Sequence, residues 1–468
     1  MNNHYEIVII GSGPAGMAAS EIAAEAGSRI LILDEQEQPG GQIYRGIASS
    51  SSVPGTDSDQ SVTNGRSLIK RFRGLNVDYI PGATVWLVSD KREIGYSKEG
   101  VSHLLVADQV IIATGAQERP IPIPGWTLPG VMTVSAAQIL LKDDGLALEN
   151  AVFAGTGPLL YAAAHQYVQG GIPIKAILDL TPRKNYLRAL PYLLKAVPKL
   201  SKIAEGWLWK HQILRSGLQY IKWVSQIKIS GEKSAAAVCY RCHNHWEKID
   251  AQHILLHLGI VPNVNIFSAI GCKTIWDTSQ LCWRVSIDSW CRTSVPGIFA
   301  AGDGANITGA IAAEQYGRLA ALEALRNLGR ISSTLRNHTA RSSRKILKKE
   351  LSIRPFLETL FKPSANFRLP KDRQTIVCRC EEVTTGEIEK IVDLGCKGPN
   401  QVKSYSRCGM GPCQGRFCGT TVSELIARQL KKPPSSVGYF RLRPPLKPLL
   451  LNELMMLQND KKPGKEPQ

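Results

Sequence analysis

Near the C-terminus, cysteines occur at a spacing that could bind an iron–sulfur cluster. One residue separates Cys378 from Cys380, and about thirty residues later four residues separate Cys413 from Cys418. Four thiolates in two close pairs suit a [2Fe–2S] cluster, because each iron takes two protein sulfur ligands. A zinc ribbon is the alternative, but neither spacing fits the usual zinc pattern well. A fifth thiol, Cys408, either replaces one of the four or is a buried bystander.

Composition and the N-terminal residues indicate the environment of these thiols. Hydrophobic residues make up 43% and charged residues 21% of the chain, which excludes a mainly disordered, collagenous or fibrous protein. The opening segment, MNNHYEIVII, leads directly into a strand and leaves no room for a cleavable signal peptide. We therefore expect a cytoplasmic protein with reduced cysteines. Since no stretch approaches roughly 18 consecutive apolar residues, no transmembrane helix is expected.

A glycine-rich loop near the N-terminus predicts a dinucleotide site. The apolar segment EIVII ends in Gly11, Gly13 and Gly16, and an Ala-rich helix and a second strand, RILILD, follow. These glycines allow a tight turn, a close approach of the backbone to a pyrophosphate, and close packing of helix on strand. The pyrophosphate would lie at the helix N-terminus, where the dipole favours an anion. Asp34 lies where a carboxylate accepts a ribose hydroxyl.

A second, imperfect loop begins at Ala151. It contains Gly155 and Gly157, but Leu160 stands where a third glycine is expected, and a strand carrying Asp179 follows. Two interpretations remain open, namely binding of NAD or another nucleotide and a dinucleotide fold that has lost its ligand. Residues 183–216 then form a basic, apolar helical insertion, which would cover a nicotinamide site, dock a partner subunit, or pack as an ordinary amphipathic insertion.

Two further strand ends complete the pattern of the N-terminal 330 residues. The strand QVIIATG ends at Thr114 and Gly115, and a later strand ends at Gly302 and Asp303. In this order the motifs resemble the two-dinucleotide-binding-domain flavoproteins, the glutathione- and thioredoxin-reductase-like group, over residues 5–330. The resemblance implies an α/β fold of that class and FAD as the cofactor, with Asp303 hydrogen-bonded to the flavin ribityl chain.

Disulfide reductases of that group carry a redox-active cysteine pair, which this chain lacks. The corresponding segments read PGGQIYRG, VSAAQILL and HQYVQGG, so thiol–disulfide chemistry at the flavin lacks its nucleophile.

Elsewhere, Cys239, Cys242 and His243 match the c-type haem attachment string. We interpret that segment as a strand–turn–strand hairpin.

The cysteine-rich segment also carries a resemblance of its own. Its strings CxCEEV and GMGPCQGRxC are similar to the bacterioferritin-associated-ferredoxin-like [2Fe–2S] domain found at the end of several flavoprotein subunits. This resemblance implies that the cluster ligands are Cys378, Cys380, Cys413 and Cys418. We also expect a helix after the first pair, with Thr385 as its N-cap.

The flavoprotein-like part, the [2Fe–2S] segment and the strap RPPLKP together resemble one family over nearly the whole chain. This family comprises the alpha subunits of heteromeric, membrane-associated amine and amino-acid dehydrogenases. Its members are of the opine oxidase, hydrogen cyanide synthase and hydroxyproline dehydrogenase type. The resemblance implies an oxidoreductase that relays electrons from a D-amino-acid-oxidase-like beta subunit to a respiratory acceptor. The beta subunit oxidises the CH–NH or CH–NH2 donor. Some members hold FMN at the subunit contact. The alternatives are a self-contained NAD(P)H-dependent flavin and iron–sulfur reductase and a non-catalytic scaffold subunit.

The charge distribution indicates the kind of partner. Net charge is +18, and residues 331–468 carry 26 Lys and Arg against 12 Asp and Glu. An acidic protein, an anionic membrane surface at the inner face, or simple solubilisation would explain this basic end, and we expect no nucleic acid.

The sequence predicts five divisions of the chain. They are an FAD-binding domain in two halves (1–125 and 266–330), an NAD-like domain (126–265) with the insertion 183–216, a basic linker (331–372), the [2Fe–2S] domain (373–430), and a Pro-rich strap and tail (431–468).

Overall fold

The structure, a computed structural model, describes residues 4–47, 60–455 and 457; the rest of the predicted C-terminal tail lies outside the described residues. Its first part alternates strands and helices around an apolar strand in which Val8 and Ile9 are fully buried, as expected of a central parallel strand. The elements of this part are β1 (His4–Ile10), α1 (Pro14–Glu25), β2 (Ile30–Leu33), α2 (Gln60–Arg73), β3 (Asp78–Ile80), β4 (Thr84–Val88), β5 (Glu93–Lys98), β6 (Val101–Ile112) and β7 (Ala116–Glu118).

A second alternation of strands and helices follows, and short 3-10 turns join the helices of its insertion. Its elements are β8 (Val131–Thr133), α3 (Val134–Asp143), β9 (Ala151–Gly155), α4 (Pro158–Gln169), β10 (Ile174–Asp179), α5 (Arg183–Ala189), α6 (Leu193–Ala196), α7 (Leu200–Arg215), β11 (Gln219–Lys222), β12 (Gln226–Ser230), β13 (Ala237–Cys242), β14 (His245–Asp250), β15 (Ile254–His257) and β16 (Ile260–Pro262).

The remainder of the chain is mostly helical and ends in an extended segment. Its elements are α8 (Asn265–Ile270), β17 (Thr274–Asp277), β18 (Cys282–Val285), β19 (Ile298–Ala300), α9 (Ala310–Asn327), α10 (Ser333–Leu351), α11 (Arg354–Leu360), α12 (Ala365–Arg368), β20 (Ile376–Cys378), β21 (Val383–Thr384), α13 (Thr385–Asp393), α14 (Pro399–Ser406), α15 (Gly419–Gln429), α16 (Pro434–Val437) and α17 (Leu451–Met455).

Two separate sheets organise the two nucleotide-type folds. In the first, the strand order is β3-β2-β1-β6-β5-β4, and β19 pairs with β6. All the pairs among β1, β2, β3, β6 and β19 are parallel, so the carboxyl ends of these strands meet at one edge. The second sheet has the order β11-β10-β9-β15-β8 and is parallel throughout. Such sheets bind their ligands at the carboxyl edge. The first glycine loop follows β1 at this edge of the first sheet, and the second follows β9 at this edge of the second sheet.

The cysteine-rich segment packs directly on the first sheet. Val377, Ile388 and Phe440 belong to the same buried cluster as Val8 and other residues of the first sheet. Polar contacts tie the segment down further, since Trp126 Nε1 donates to the Ile376 carbonyl at 2.7 Å. The strap after α16 continues along the same surface. The segment is thereby held against the first sheet.

A long polar helix, α10, occupies nearly half of the segment expected to be a basic linker, and the short helices α11 and α12 follow it there. It begins at Ser332, whose hydroxyl accepts from the Leu335 N–H, and it packs on α9 through a narrow buried stripe of Ala340, Ser343 and Leu347. Among the described residues, no helix is both long and apolar enough to cross a membrane.

Candidate functional site

The first glycine loop turns tightly from β1 into α1. Gly11 has a φ of +104°, and a Cβ atom there would lie 2.5 Å from the Ala113 carbonyl oxygen. At Gly16 a Cβ would lie 1.8 Å from the Gly11 oxygen, so helix and loop pack too closely for any side chain. Gly13 is the N-cap of α1. The loop therefore leaves the N-terminal backbone of α1 open toward the carboxyl edge of the sheet, which suits a phosphate group.

Asp34, at the end of β2, is buried and already bonded to the protein. Its carboxylate accepts from the Ser12 backbone N–H, from Ser12 Oγ at 2.6 Å and from the Gln36 N–H at 2.7 Å. The side chain between the first two glycines thus orients this acid, a role that the sequence pattern did not indicate. A carboxylate offers about four lone-pair sites, so Asp34 retains capacity for a ribose hydroxyl.

Thr114 and Asp303 lie across the same edge from the glycine loop. Thr308 N–H and Gly309 N–H donate to Asp303 Oδ1 at 2.8 and 3.1 Å, which fixes this carboxylate beside the N-terminus of α9. In the described structure, Thr114 Oγ1 and Asn306 Oδ1 are buried without a hydrogen-bond partner. Unsatisfied buried polar atoms are costly, so they fit a site that a polar ligand completes.

Gly11 and Gly13 of the loop, Asp34, Thr114 and Asp303 line one cavity of about 1530 Å³. That volume exceeds the roughly 300–1,000 Å³ of a pocket for a small ligand, so the cavity has room for an extended dinucleotide. The cavity brings together all the cofactor-binding residues predicted from the first loop and the two later strand ends, apart from Gly16, which lies within α1. The predicted residues on its wall are Gly11, Gly13, Asp34, Thr114, Gly115, Gly302 and Asp303.

The five clustered cysteines converge at one end of this C-terminal segment. The sulfur atoms of Cys378, Cys408 and Cys418 all lie within 4.8 Å of one another, and all three side chains are buried. A hydrogen bond joins the other two thiols, Cys380, which is exposed, and Cys413, which is half-buried. The four predicted ligands are thus divided between a buried group and a more exposed pair, and Cys408 lies in the buried group. Soft thiolates in this number fit an iron–sulfur centre.

Hydrogen bonds favour the thiolate form of one of these cysteines. The thiols of Cys408 and Cys418 and the backbone N–H groups of Gly409 and Glu381 all donate to Cys378, which lowers the pKa of that thiol to about 2. Burial acts in the opposite direction and is outweighed. A thiolate is the form that a metal ligand must take.

Local backbone geometry explains the glycines and the helix in this segment. A Cβ atom on Gly411 would lie 2.3 Å from the Cβ of Cys380, so only glycine lets the two cysteine loops approach. The expectation that Thr385 is the N-cap of α13 is wrong. Thr384 takes that position, because its hydroxyl accepts from the Glu387 N–H while the Glu387 carboxylate accepts from the Thr384 N–H. This reciprocal capping box fixes the start of the helix one residue earlier.

Two residues between the last two cysteines form part of the cavity wall. Arg416 and Phe417 face the cavity that Gly115 and Asp303 line. The Arg416 carbonyl accepts from Gln117 Nε2 at 2.6 Å, and the guanidinium donates to the Cys413 carbonyl at 3.1 Å. The cysteine loop is therefore in direct contact with the dinucleotide cavity. Sequence reasoning missed both residues, because no local pattern marks a contact between segments so far apart.

The second glycine loop has a different environment. Gly155 ends β9, Gly157 precedes α4, and Leu160 is fully buried where the third glycine is missing. Asp179 accepts from Tyr161 Oη at 2.9 Å and Tyr220 Oη at 2.5 Å, with Lys210 Nζ of the insertion 3.8 Å away. The acid at the expected ribose position is thus surrounded by side chains of its own domain and of the insertion.

Comparison with known proteins places the chain. The pyridine nucleotide-disulphide oxidoreductase family model matches residues 5–318, and the sarcosine oxidase A3 domain model matches residues 372–456. The opine oxidase A subunit of Agrobacterium tumefaciens (strain Ach5) is 40% identical over 98% of this chain and 92% of its own length. The chain belongs to the family of opine oxidase A subunits. Hydrogen cyanide synthase subunit HcnB of Pseudomonas protegens is a more distant relative, 28% identical over 94% of this chain and 96% of its own length.

Solved structures agree with the fold of this member of the opine oxidase family. L-proline dehydrogenase from P. horikoshii superposes with a TM-score of 0.69 at 18% identity, covering 96% of this chain and 79% of that one. For T. acidophilum thioredoxin reductase the TM-score is 0.52 at 20% identity, over 70% of this chain and 99% of that one. The predicted fold class and the predicted family are confirmed. This family member is a flavoprotein-type oxidoreductase with an FAD-binding fold.

The segment with the haem attachment string is a hairpin in this family member, as expected. β13 pairs with β14 across a two-residue turn, His243 and Asn244, both with positive φ. Cys239 and Cys242 are an odd number of positions apart on one strand, so their side chains point to opposite faces of the sheet. They are therefore not arranged to bind one metal ion together.

Proposed function

We propose that this chain is the FAD- and [2Fe–2S]-containing electron-transfer alpha subunit of a heteromeric amine or amino-acid dehydrogenase. The observation that carries the proposal is the contact between the two candidate sites: Arg416 and Phe417, which lie between two predicted cluster ligands, also line the dinucleotide cavity. A short distance between redox centres is what an electron-relaying subunit requires. When bound, the flavin supplies two-electron redox chemistry and the cluster supplies single-electron chemistry.

In this proposal the first cavity holds FAD. Backbone N–H groups at the start of α1 bind the pyrophosphate, and Gly13 lets it approach the chain. Asp34, held by Ser12, accepts the adenosine ribose hydroxyl. Thr114 and Asp303 bind the ribityl segment. The Thr114 hydroxyl has no hydrogen-bond partner among the described residues, and the Asp303 carboxylate is held through Oδ1, which leaves Oδ2 for the ligand. Gly155 and Gly157 stay a prediction for a second nucleotide, as does FMN at a subunit contact.

Four cysteines hold the cluster in this proposal: Cys378, Cys380, Cys413 and Cys418. Backbone N–H groups of Gly409 and Glu381 donate to the Cys378 sulfur and would stabilise its negative charge. Cys408 would donate its S–H to the same sulfur as a neighbour of the ligands.

The relatives support the proposed partner and substrate. Each of the two reported relatives is named as a subunit, which supports a heteromeric complex. Opines are secondary amines, as is sarcosine, for whose oxidase the second family model is named. This supports an amine donor, CH–NH or CH–NH2, of opine, glycine or hydroxyproline type. The beta subunit we propose is D-amino-acid-oxidase-like and oxidises the amine, and the electrons leave to a respiratory acceptor. This chain then needs no acid–base catalyst of its own.

Purification of the tagged chain from its native cell tests the function. We expect a D-amino-acid-oxidase-like chain to co-purify, and one of a panel of opines, glycine and hydroxyproline to bleach the flavin absorption and produce a reduced-cluster EPR signal. The tagged chain produced alone should respond to dithionite but to none of these amines. Oxidation of an amine by the isolated chain, or purification of the native chain without a partner, would contradict the proposal.

A second test concerns the rival interpretation, a self-contained NAD(P)H-dependent reductase. Because Tyr161, Tyr220 and Lys210 surround Asp179, we expect neither NADH nor NADPH to bleach the flavin of the anaerobic protein. The measurement is the flavin absorption band before and after each nucleotide, with dithionite as the positive control. Rapid bleaching by either nucleotide would favour the reductase.

A further inference from the structure

The helical insertion exposes an unusual amount of apolar side chain. Leu194 is 83% exposed, Leu187 72% and Trp207 65%. We call the exposed side chains of residues 183–215 the insertion surface. Its large apolar members are Tyr186, Leu187, Leu190, Leu194, Val197, Leu200, Trp207, Leu208 and Leu214. Large contiguous apolar patches on a folded chain mark sites of protein or membrane contact.

Helical spacing separates this surface from the side that packs on the protein. Leu187, Leu190, Leu194 and Val197 recur every three or four residues, and Leu200, Trp207 and Leu214 recur every seven on α7. On other sides the helices contact the rest of the protein. Helix α7 packs on α4. Asn185 of α5 donates to the carbonyls of Leu360, in α11, and of Lys362, just after it. Another side of α7 lines the large cavity through Ser201, Glu205 and Trp209. The stripe of Leu200, Trp207 and Leu214 lies on the side of the helix that faces away from this cavity.

Positive charge accompanies these apolar side chains. Residues 183–216 contain eight Lys and Arg, six of which are exposed, but a single acid, Glu205, which pairs with Lys202 at 2.8 Å. The basic helix α10 adjoins the insertion, since Lys199 forms an ion pair with Glu350. It adds the exposed cations Arg341, Arg344, Lys345, Lys348 and Lys349.

We propose that the insertion surface, flanked by α10, binds an anionic lipid bilayer in the plane of its headgroups. Leucines and tryptophan interleaved with Lys and Arg are typical of helices that lie in a membrane interface. Each cation near an anionic leaflet adds attraction, and the insertion offers almost no acid to oppose it. A protein partner fits less well, because lysine is depleted in protein–protein interfaces whereas the insertion exposes Lys184, Lys195 and Lys202.

Vesicle sedimentation tests this with the full chain, together with whatever partner co-purifies. We expect binding to phosphatidylcholine vesicles that contain phosphatidylglycerol, weaker binding as salt is raised, and little binding to pure phosphatidylcholine. The double variant L187E/L194E should lose about tenfold or more in partition coefficient, because it removes two inserted leucines and adds two negative charges. A control, L146E/L394E, makes the same change at two exposed leucines elsewhere and should bind like the unmodified protein.

Several results would overturn the proposal. These are absence of binding to the anionic vesicles, equal loss in both double variants, and loss of a co-purifying chain in L187E/L194E alone. The last result would assign the insertion surface to a partner protein. Retained thermal stability and retained flavin content in both variants show that any loss of vesicle binding is not unfolding.

Discussion

Replacing Cys378 by alanine is expected to remove the iron–sulfur centre from the protein. The content should fall from about two irons and two labile sulfides per chain to a small residue, and the EPR signal after dithionite should disappear. This thiol lies at the centre of the cysteine cluster, buried among Cys408 and Cys418 and receiving backbone N–H groups that stabilise its thiolate. Metal analysis of the purified variant measures the effect and also tells iron from zinc, the alternative raised by the sequence.

Two matched variants make this result interpretable. Cys396→Ala removes another buried thiol of the same segment, and we expect its iron content to be unchanged. Cys408→Ala should also keep the cluster, because the predicted ligands are the other four cysteines. If Cys408→Ala loses iron while Cys380→Ala retains it, then Cys408 is a ligand in place of the exposed Cys380. Iron retained by Cys378→Ala itself would contradict the assignment of the site.

Sequence reasoning was most effective where a local pattern has one structural solution. An apolar run followed by Gly11, Gly13 and Gly16 and then by a helix has few folds available, and the structure places these residues at the carboxyl edge of a parallel sheet. The family and the fold class were predicted in the same way. At Gly16, for example, the carbonyl oxygen of Gly11, five residues earlier, leaves room for glycine alone.

Other features depend on contacts between distant segments and could not be predicted. Sequence spacing groups the cysteines as two pairs, whereas the fold places Cys408 beside Cys378 and Cys418. The approach of Arg416 to Gln117 joins positions about three hundred residues apart. Helix α10 could not be predicted because most of its residues are polar. Only Ala340, Ser343 and Leu347 form the buried stripe that packs on α9, which is too few apolar residues for a clear helical pattern. With two adjacent threonines, only the observed capping bonds decide which one starts α13.

The second large effect is expected from Gly13→Val, which should abolish flavin binding without unfolding the protein. Gly13 has a φ of −73°, and the nearest atom to a Cβ at this position is 3.7 Å away, so the chain itself leaves room for a Cβ there. A pyrophosphate at the N-terminus of α1 would instead meet that side chain, because this glycine is where the backbone must approach it. We therefore expect flavin affinity to fall about a hundredfold or more, which corresponds to about 3 kcal/mol.

Gly11→Ala provides the contrast, because it should destabilise the fold itself. The position has a positive φ, and the added Cβ would lie 2.5 Å from the Ala113 carbonyl oxygen. We therefore expect a lower unfolding temperature whether or not flavin is present. Flavin content after gel filtration and thermal unfolding of the apoprotein separate the two effects. A Gly13→Val protein that keeps one flavin per chain would show that the flavin binds elsewhere, and the contact of Arg416 and Phe417 with this cavity would then lose its meaning for electron transfer. A variant that loses flavin but unfolds like the unmodified apoprotein would place the pyrophosphate at this loop.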